Sequence, residues 1–188
     1  MNTAMDLMKM SGAFLEGHFL LTSGKHSGKY CQCARLLRFP NLAEQALAPV
    51  ARRIKSLNAT KVCGPAMGGI LVSYELARQL GVESLFTERL DGEVTLRRGF
   101  TVSPGDRVII AEDVITTGKS TMETYDALVA QGANIVGVAC LVDRSNDGLS
   151  LPMPVYSAIN LHIDIYDPDA CPLCKAGAGK PVKPGSRL

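Results

Sequence analysis

The sequence predicts one α/β domain in which a mainly parallel central sheet is flanked by helices. Two observations support this fold class. The chain has 188 residues, 46% of them hydrophobic, and a chain of this size buries about two thirds of its unfolded surface around one core. Short apolar runs also alternate with amphipathic segments of helical period, which is the pattern of crossover units between parallel strands. We therefore expect a single domain over residues 1–188.

The two ends of the chain differ from this central pattern. Residues 4–12 have helical patterning, residues 14–22 form an aliphatic run, and residues 23–29 contain the Ser, Gly, Lys and His residues typical of a turn. The segment 175–188 is rich in Gly, Pro and Lys, and we expect it to be a flexible tail.

The middle of the chain supplies the predicted layers. Residues 41–57 carry apolar side chains at a helical period, and we expect Asn41 to cap this helix and Pro49 to kink it. The alternation that follows predicts strands at 61–63, 82–87, 107–111 and 135–142, with helices at 69–80 and 118–131. Ligands of such sheets bind beyond the carboxyl ends of the strands, so the residues after each strand are the candidate site.

Composition excludes several classes of protein. The net charge is +2, with 20 basic and 18 acidic residues intermixed, so the sequence lacks the broad basic surface typical of nucleic-acid binding. No stretch approaches the roughly 20 apolar residues of a membrane span, and the N-terminus has no targeting pattern. We expect a cytoplasmic protein with neither nucleic acid nor membrane as a partner.

The cysteines and histidines give weaker signals. Six cysteines suit reduced thiols, although Cys171 and Cys174 have the spacing of a metal knuckle that Cys31 and Cys33 would complete as a four-sulfur zinc site. Packed or solvent-facing thiols are the favoured interpretation, so no residue is assigned as a metal ligand. The three histidines are interpreted as structural or solvated, although His26, in the predicted turn, lies where it could reach a ligand.

The clearest chemical signal follows the apolar strand at 107–111. Glu112 and Asp113 stand at the carboxyl end of this strand, and a helix opens just after them. Backbone N–H groups and the positive end of that helix converge there, which suits a phosphate, while two carboxylates suit the vicinal hydroxyls of a sugar. The residues that would surround a phosphorylated ribose, besides the two acids, are Val114, Ile115, Thr116, Thr117, Gly118, Lys119, Ser120 and Thr121.

Two alternatives compete with this interpretation. The two acids could simply cap the helix or face solvent, but their position at the end of a buried strand, followed by hydroxyl residues and a glycine, disfavours that. A P-loop requires GxxxxGK[ST], and the upstream glycine is missing before Gly118 and Lys119.

The segment 108–121, VIIAEDVITTGKST, resembles the signature of the type I phosphoribosyltransferases. The resemblance implies their fold, with a small hood contributed by residues 1–35 and the C-terminal region. It also implies that Glu112 and Asp113 bind the ribose hydroxyls of 5-phosphoribosyl-1-pyrophosphate, and that Thr116 to Thr121 wrap its 5-phosphate. Mg²⁺ is the implied cofactor, and a homodimer is the implied assembly.

Four further segments resemble the orotate phosphoribosyltransferases in the same order along the chain. Residues 17–24 resemble the hood over the base, and residues 63–69 resemble the loop that receives pyrophosphate. Residues 86–89 precede the family's mobile loop, and residues 141–144 end the strand that carries an orotate-binding arginine. The resemblance therefore implies these further site residues: Ala66 and Gly68 for pyrophosphate; Thr22, Ser23, Thr116 and Arg144 for orotate; and Arg89 as a catalytic cation beside Glu112 and Asp113.

Arg144 carries the choice of base. Orotate differs from uracil and the purines by a carboxylate, which a planar guanidinium binds bidentately. The alternative role for Arg144 is a surface ion pair with Asp143 or Asp147. Two rival functions also stay open: a purine phosphoribosyltransferase, which has no need of Arg144, and a regulator that senses phosphoribosyl pyrophosphate while binding nucleic acid.

The chain departs from the typical family pattern at three places. Thr22 and Gly68 stand where lysines are usual, and the mobile loop has only Arg89, Arg97 and Arg98. These features and the terminal CPLC resemble a short-loop bacterial subgroup of the same enzyme. Which of the three arginines assists pyrophosphate departure is left open by the sequence.

Overall fold

The computed structural model describes residues 2–145 and 149–184 of the chain. Its strands form two sheets, and the strand bounds are β1 Phe14–Leu20, β2 His26–Cys31, β3 Lys61–Pro65, β4 Glu83–Leu90, β5 Glu93–Leu96, β6 Arg107–Ile115, β7 Asn134–Asp143, β8 Val155–Asn160 and β9 Ile165–Tyr166. The helices are α1 Ala4–Met10, α2 Ala34–Leu37, α3 Pro40–Ile54, α4 Gly68–Leu80, α5 Lys119–Val129 and α6 Pro172–Lys175.

The central sheet has six strands in the order β5, β4, β3, β6, β7, β8. Every neighbouring pair is parallel except β4 with β5, which form an antiparallel hairpin. Because β6 lies in the middle, its carboxyl end is flanked by the ends of β3 and β7. The predicted mainly parallel sheet is confirmed.

The central strands are covered on both faces, as the apolar runs predict. Along β6, Val108 and Ile110 belong to one buried apolar cluster, and Ile109 and Ala111 belong to another. This alternation follows from the two-residue period of a strand. Helices α3 and α4 pack on one face and α5 on the other, so the end of β6 is fixed between two cores.

Some predicted boundaries differ from the structure. Strand β2 begins at His26, inside the predicted turn, because residues 26–31 pair with β1. Helix α3 begins at Pro40, whose missing N–H costs nothing at a first helical position, so Asn41 is not the cap. Strand β8 was not predicted, since its side chains at this sheet edge are mostly half-buried and its sequence is partly polar.

The second sheet forms the hood, with the strand order β1, β2, β9. The C-terminal tail reaches this sheet: Val182 N–H donates to the carbonyl of His18 at 2.8 Å, and Leu20 N–H donates to the carbonyl of Val182 at 2.9 Å. The expected flexible tail is therefore hydrogen-bonded to β1 at Val182, because an edge strand offers free backbone groups to it. Residues 185–188 lie outside the described part of the chain. No helix within the described residues is long and apolar enough to cross a bilayer.

Candidate active site

Two neighbouring parallel strands bring the predicted site residues together. In the register of β6 and β7, Ile115 lies opposite Asp143. One residue later, the N–H of Arg144 donates to the carbonyl of Ile115 at 2.8 Å. The arginine is therefore held at the strand end from which the loop 116–118 departs.

The first cavity lies at the start of α5 and has a volume of about 420 Å³. It is lined by Arg89, Val114, Ile115, Thr116, Thr117, Gly118, Lys119, Ser120, Thr121 and Glu123. Within residues 2–145 and 149–184, no protein acceptor receives a hydrogen bond from the backbone N–H groups of residues 116–121. A ring of unpaired amides at a helix N-terminus is suited to an anion with several oxygens.

Gly118 is required by the shape of this loop. Its φ is +71°, in the left-handed region that favours glycine. A Cβ at this position would also lie 2.8 Å from Cδ1 of Leu149. A glycine here lets the loop turn into α5 without strain and without displacing Leu149, and the turn aims the amides into the cavity.

Glu112 is buried and faces the start of α5. Its Oε1 accepts hydrogen bonds from the hydroxyls of Ser120 at 2.6 Å and Thr121 at 3.4 Å. Burial raises the pKa of this carboxyl to about 7, against the two hydroxyl hydrogen bonds, and the neighbouring Asp113 adds to the increase. Glu112 is not among the residues that line the two cavities described here.

Asp113 lies on the other side of β6 and lines the second cavity. Burial raises the pKa of this carboxyl too, while hydrogen bonds from the backbone N–H groups of Val114 and of Asp113 itself act in the opposite direction. The two adjacent acids thus point to opposite faces of the strand, as the pleat dictates.

The loop after β3 approaches Asp113 closely. A Cβ on Gly68 would lie 2.4 Å from Oδ1 of Asp113, and a Cβ on Gly69 would lie 2.6 Å from the carbonyl oxygen of Ala111. Ala66 is exposed, and its N–H donates to the carbonyl of Thr87 at 2.8 Å. Gly68 therefore lies directly against the acid end of β6, where the space for a longer side chain is already taken by the aspartate.

The second cavity lies between the hood and the central sheet and has a volume of about 720 Å³. It contains the four residues predicted for the base, Thr22, Ser23, Thr116 and Arg144, together with Asp113. Its remaining lining residues are Leu21, Lys25, Tyr30, Cys31, Gln32, Cys33, Ala34, Val114, Thr117 and Ile165. Thr116 and Thr117 line both cavities, so the two form adjoining halves of one site.

Arg144 is the unsatisfied cation of this second cavity. Its Nε is buried and has no hydrogen-bond partner within residues 2–145 and 149–184. Of the two alternative partners, Asp143 accepts from the N–H of Ser145 at 2.9 Å and forms no ion pair with Arg144 in the described chain, and Asp147 lies outside it. A buried guanidinium donor without a partner is costly unless a ligand satisfies it.

The loop arginines are distributed unequally. Arg89 lines the first cavity and is ion-paired with Glu123 of α5. Arg98 is paired with Glu88 at 2.7 Å, and Arg97 is exposed. Arg89 thus lines the first cavity, whereas Arg97 and Arg98 line neither the first nor the second.

Sequence reasoning did not single out Lys25 and Tyr30, which line the second cavity. Burial raises the pKa of Tyr30 above its ordinary value, while Arg144 acts to lower that pKa and Asp113 acts to raise it. Lys25 is paired with Asp167 at 3.2 Å. The available signal was the Ser, Gly, Lys and His segment at residues 23–29, which contains Lys25 and runs into β2, the strand that carries Tyr30.

Comparison with known proteins agrees with this geometry. Residues 40–170 match the family model of the phosphoribosyl transferase domain. The orotate phosphoribosyltransferase of Desulforamulus reducens is 49% identical over 183 residues, which cover 97% of this chain and 95% of that protein. The chain belongs to the orotate phosphoribosyltransferases. It is therefore a phosphoribosyltransferase enzyme, and the resemblance drawn from its sequence is confirmed.

Solved structures of this enzyme family and of its relatives share the fold. The orotate phosphoribosyltransferase from Aeropyrum pernix has a TM-score of 0.69 at 24% identity, over 93% of this chain and 98% of that one. An adenine phosphoribosyltransferase from Rhodothermus marinus has a TM-score of 0.66 at 21% identity, over 85% of this chain and 100% of that one. The fold alone thus does not distinguish the bases, and the contents of the second cavity must do so.

Proposed function

We propose that this enzyme transfers the 5-phosphoribosyl group of phosphoribosyl pyrophosphate to orotate, giving orotidine 5′-phosphate and pyrophosphate. The observation that carries the proposal is the buried Nε of Arg144, which has no hydrogen-bond partner among the described residues and lies at the 720 Å³ cavity. Thr116 lines this cavity and also the first one, at the start of α5. A carboxylate on the base supplies the acceptor that this guanidinium lacks. Neither adenine nor hypoxanthine carries one.

The two cavities divide the substrates between them. The unpaired amides of residues 116–121 hold the 5-phosphate in the first cavity, with the hydroxyls of Thr116 and Thr117 as further donors. Asp113 accepts from the ribose hydroxyls in the second cavity. Glu112 takes its part in ribose binding when Ser120, its present hydrogen-bond donor, turns to the phosphate.

The reaction needs no covalent enzyme intermediate. The base nitrogen forms a bond to C1 of the ribose while the bond from C1 to pyrophosphate breaks, and positive charge builds on the ring. Catalysis then comes from holding both reactants in line and from carboxylates that face the developing charge. Arg89, at the wall of the phosphate cavity, is the cation proposed to assist the departing pyrophosphate.

Mg²⁺ is the proposed cofactor. Asp113 supplies an oxygen ligand of the kind that Mg²⁺ accepts, with Gly68 leaving no side chain between that carboxylate and the pyrophosphate loop. Since this offers a single carboxylate, most of the ion's other ligands would be substrate oxygens and water, as is usual for Mg²⁺ with phosphates. Bound there, the ion would neutralise charge on the leaving pyrophosphate.

The proposed assembly is a homodimer. Met67, which caps α4, is exposed at helical spacing with Leu71 and Tyr74 of that helix, and Met67 is 83% and Tyr74 65% exposed. This apolar stripe begins in the loop assigned to pyrophosphate, so a second copy packed on it also lies next to the active site. Sedimentation of Leu71→Glu against the unchanged enzyme tests this: a shift to monomer is expected, and a dimer that persists contradicts the choice of face.

The proposed location is the cytoplasm, where a reducing environment suits the six unpaired cysteines.

The direct test is a spectrophotometric assay of orotate consumption with phosphoribosyl pyrophosphate and Mg²⁺. Orotate turnover is expected, with adenine and hypoxanthine inactive as acceptors. Turnover of a purine without turnover of orotate would overturn the base assignment and leave the fold intact. An electrophoretic shift of DNA or RNA that weakens with salt would instead favour the regulatory alternative.

A further inference from the structure

A group of four metal-ligating side chains lies in the hood, apart from the residues given roles in the reaction. This hood cluster consists of His18, His26, Cys171 and Cys174, and one ligand atom from each lies within 4.8 Å of all the others. The two histidines and Cys171 are buried, while Cys174 is exposed. Three of the four side chains are therefore held by packing, and the exposed fourth leaves a route by which an ion can enter.

The separations within the hood cluster match those between the ligands of one tetrahedral zinc ion. Zn–S bonds of about 2.3 Å and Zn–N bonds of about 2.0 Å at tetrahedral angles place sulfur and nitrogen roughly 3.5 Å apart, and two nitrogens roughly 3.3 Å apart. The Sγ of Cys174 lies 3.3 Å from Nδ1 of His26 and 3.6 Å from Nε2 of His18. The Sγ of Cys171 lies 3.7 Å from Nε2 of His18, and the two ring nitrogens are 3.2 Å apart.

The hydrogen bonding of His18 makes Nε2 the ring nitrogen that can bind a metal. Its Nδ1 is 2.9 Å from the carbonyl oxygen of Gly179, so Nδ1 carries the proton and donates it there. Nε2 then has one lone pair, yet His26 and both cysteines approach it. One lone pair cannot satisfy three neighbours, whereas a cation is satisfied by all four ligands at once. A ring N–H bonded to a backbone carbonyl is also the usual support of a metal-bound histidine.

The four ligands come from three separate segments of the hood. His18 lies on β1, His26 begins β2, Cys171 caps α6, and Cys174 lies within α6. The two-residue spacing of the cysteines around a short helix is that of a zinc knuckle. One ion would thus join the β1–β2 hairpin to the C-terminal segment.

We propose that the hood cluster binds one Zn²⁺ ion as a structural site with four protein ligands. Two thiolates and two imidazoles in tetrahedral arrangement favour Zn²⁺ over the oxygen-preferring Mg²⁺. The site braces the active site as well, because His18 and His26 stand on either side of the turn that carries Thr22, Ser23 and Lys25 to the wall of the base cavity.

The side chains that lie beside Cys171 and Cys174 are not Cys31 and Cys33, the two cysteines considered from the sequence as the rest of a four-sulfur site. Cys31 and Cys33 line the base cavity, and the Sγ of Cys33 lies 3.7 Å from the carbonyl oxygen of Asp113. Neither belongs to the hood cluster. The histidines interpreted as structural or solvated take their place, because the hairpin folds His18 and His26 onto the same buried side.

The test begins with the unaltered full-length enzyme, purified without chelators and analysed by plasma mass spectrometry. About one zinc ion per chain is expected. A mercurial reagent that titrates thiolates should release that zinc to a chromogenic chelator. Exchange with Co²⁺ should give the visible ligand-field bands of a tetrahedral site and a sulfur-to-cobalt charge-transfer band, which requires no variant to fold.

Matched variants identify the ligands. Cys174→Ser and His26→Asn should each lose most of the zinc, and their Tm should fall. Cys31→Ala and His162→Asn should retain the ion, since the first alters a cysteine outside the hood cluster and the second an exposed histidine. Equal zinc loss in Cys31→Ala would favour the four-sulfur alternative and overturn the ligand set.

Three results would overturn the proposal: a wild-type enzyme that holds no zinc and takes up none when Zn²⁺ is added, a disulfide between Cys171 and Cys174 in the freshly purified protein, or iron as the bound metal. Because metal content, the cobalt spectrum and Tm are measured without substrate, these outcomes are independent of the assay for orotate. An enzyme that fails to use orotate can still hold zinc, and the reverse is also distinguishable.

Discussion

The phosphate loop, residues 112–121, and the hood are two parts of one active site, and they differ in how their residues are brought together. In the phosphate loop, the residues proposed to bind the ribose and its phosphate follow one another in the chain, and the end of one strand and the start of one helix position them. In the hood, β1, β2, β9 and the tail at Val182 must meet before the base cavity has a wall. The loop depends on local geometry, whereas the hood depends on contacts between residues more than 160 positions apart, such as His18 with Gly179 and with Val182.

The two parts also differ in what keeps them rigid. The end of β6 is fixed by two apolar clusters, so the amides of residues 116–121 that follow it point into the cavity before any substrate binds. Such preorganisation is what electrostatic catalysis requires. The hood has little core of its own, and its β9 contributes only two residues to the sheet. A metal that joins three of its segments would supply the rigidity that burial gives to the loop.

The largest effect is expected where the two parts meet, at Asp113. Asp113→Asn keeps the size of the side chain but removes the charge that faces the ribose, and we expect kcat/KM for phosphoribosyl pyrophosphate to fall by about 10²- to 10³-fold. Steady-state kinetics measure this change. The control is Asp126→Asn, on the exposed face of α5, and its kcat/KM should equal that of the wild type. A decrease smaller than threefold would remove Asp113 from the ribose site.

Arg144 tests the hood side of the site. Arg144→Ala should lower kcat/KM for orotate by at least about tenfold, the scale of a lost charge-assisted pair, while the KM for phosphoribosyl pyrophosphate stays unchanged. Arg52→Ala, which alters an exposed arginine of α3, is the control. If both substrates are affected equally, the arginine supports the fold of the strand end and does not choose the base.

The same division decides what the sequence can predict. The parallel sheet and the phosphate loop are predictable because apolar period, two acids and a glycine before a helix are all local signals. Thr22, Ser23 and Arg144 are placed by family resemblance alone, and the structure does bring them to one cavity. The tail and the pairing of His18 with Cys171 are not predictable, because nothing in either local sequence specifies a partner 153 residues away.

Glu112 offers a test of the loop that needs no substrate. Its pKa is raised by burial to about 7, so the folded protein holds a proton that the unfolded chain releases above pH 4.5. The resulting stability is fully present below pH 4.5 and is lost as the pH rises to about 7. Glu112→Gln, which stays neutral, should therefore exceed the wild type in unfolding free energy by on the order of 3 kcal/mol at pH 8, and by almost nothing at pH 4.5.

Urea unfolding across this pH range measures the difference. Glu93→Gln, in an exposed part of β5, is the control and should follow the wild type at every pH. A pH-independent difference between Glu112→Gln and the wild type would mean that packing against Ser120, and not the buried charge, sets the effect.

The smallest effect separates the strain of the loop from its use in binding. Gly118 and Gly81 have nearly the same φ, +71° and +72°, but a Cβ on Gly118 meets Leu149 whereas a Cβ on Gly81 meets nothing within 4 Å. Gly81→Ala and Gly118→Ala should each lose about 1 kcal/mol of stability from the left-handed backbone. Only Gly118→Ala should also raise the KM for phosphoribosyl pyrophosphate, by several-fold, because Leu149 and the loop must shift to admit the methyl group. Equal KM values in the two variants would show that substrate binding tolerates displacement of the amides of residues 116–121. That result would contradict the preorganisation inferred for the phosphate loop.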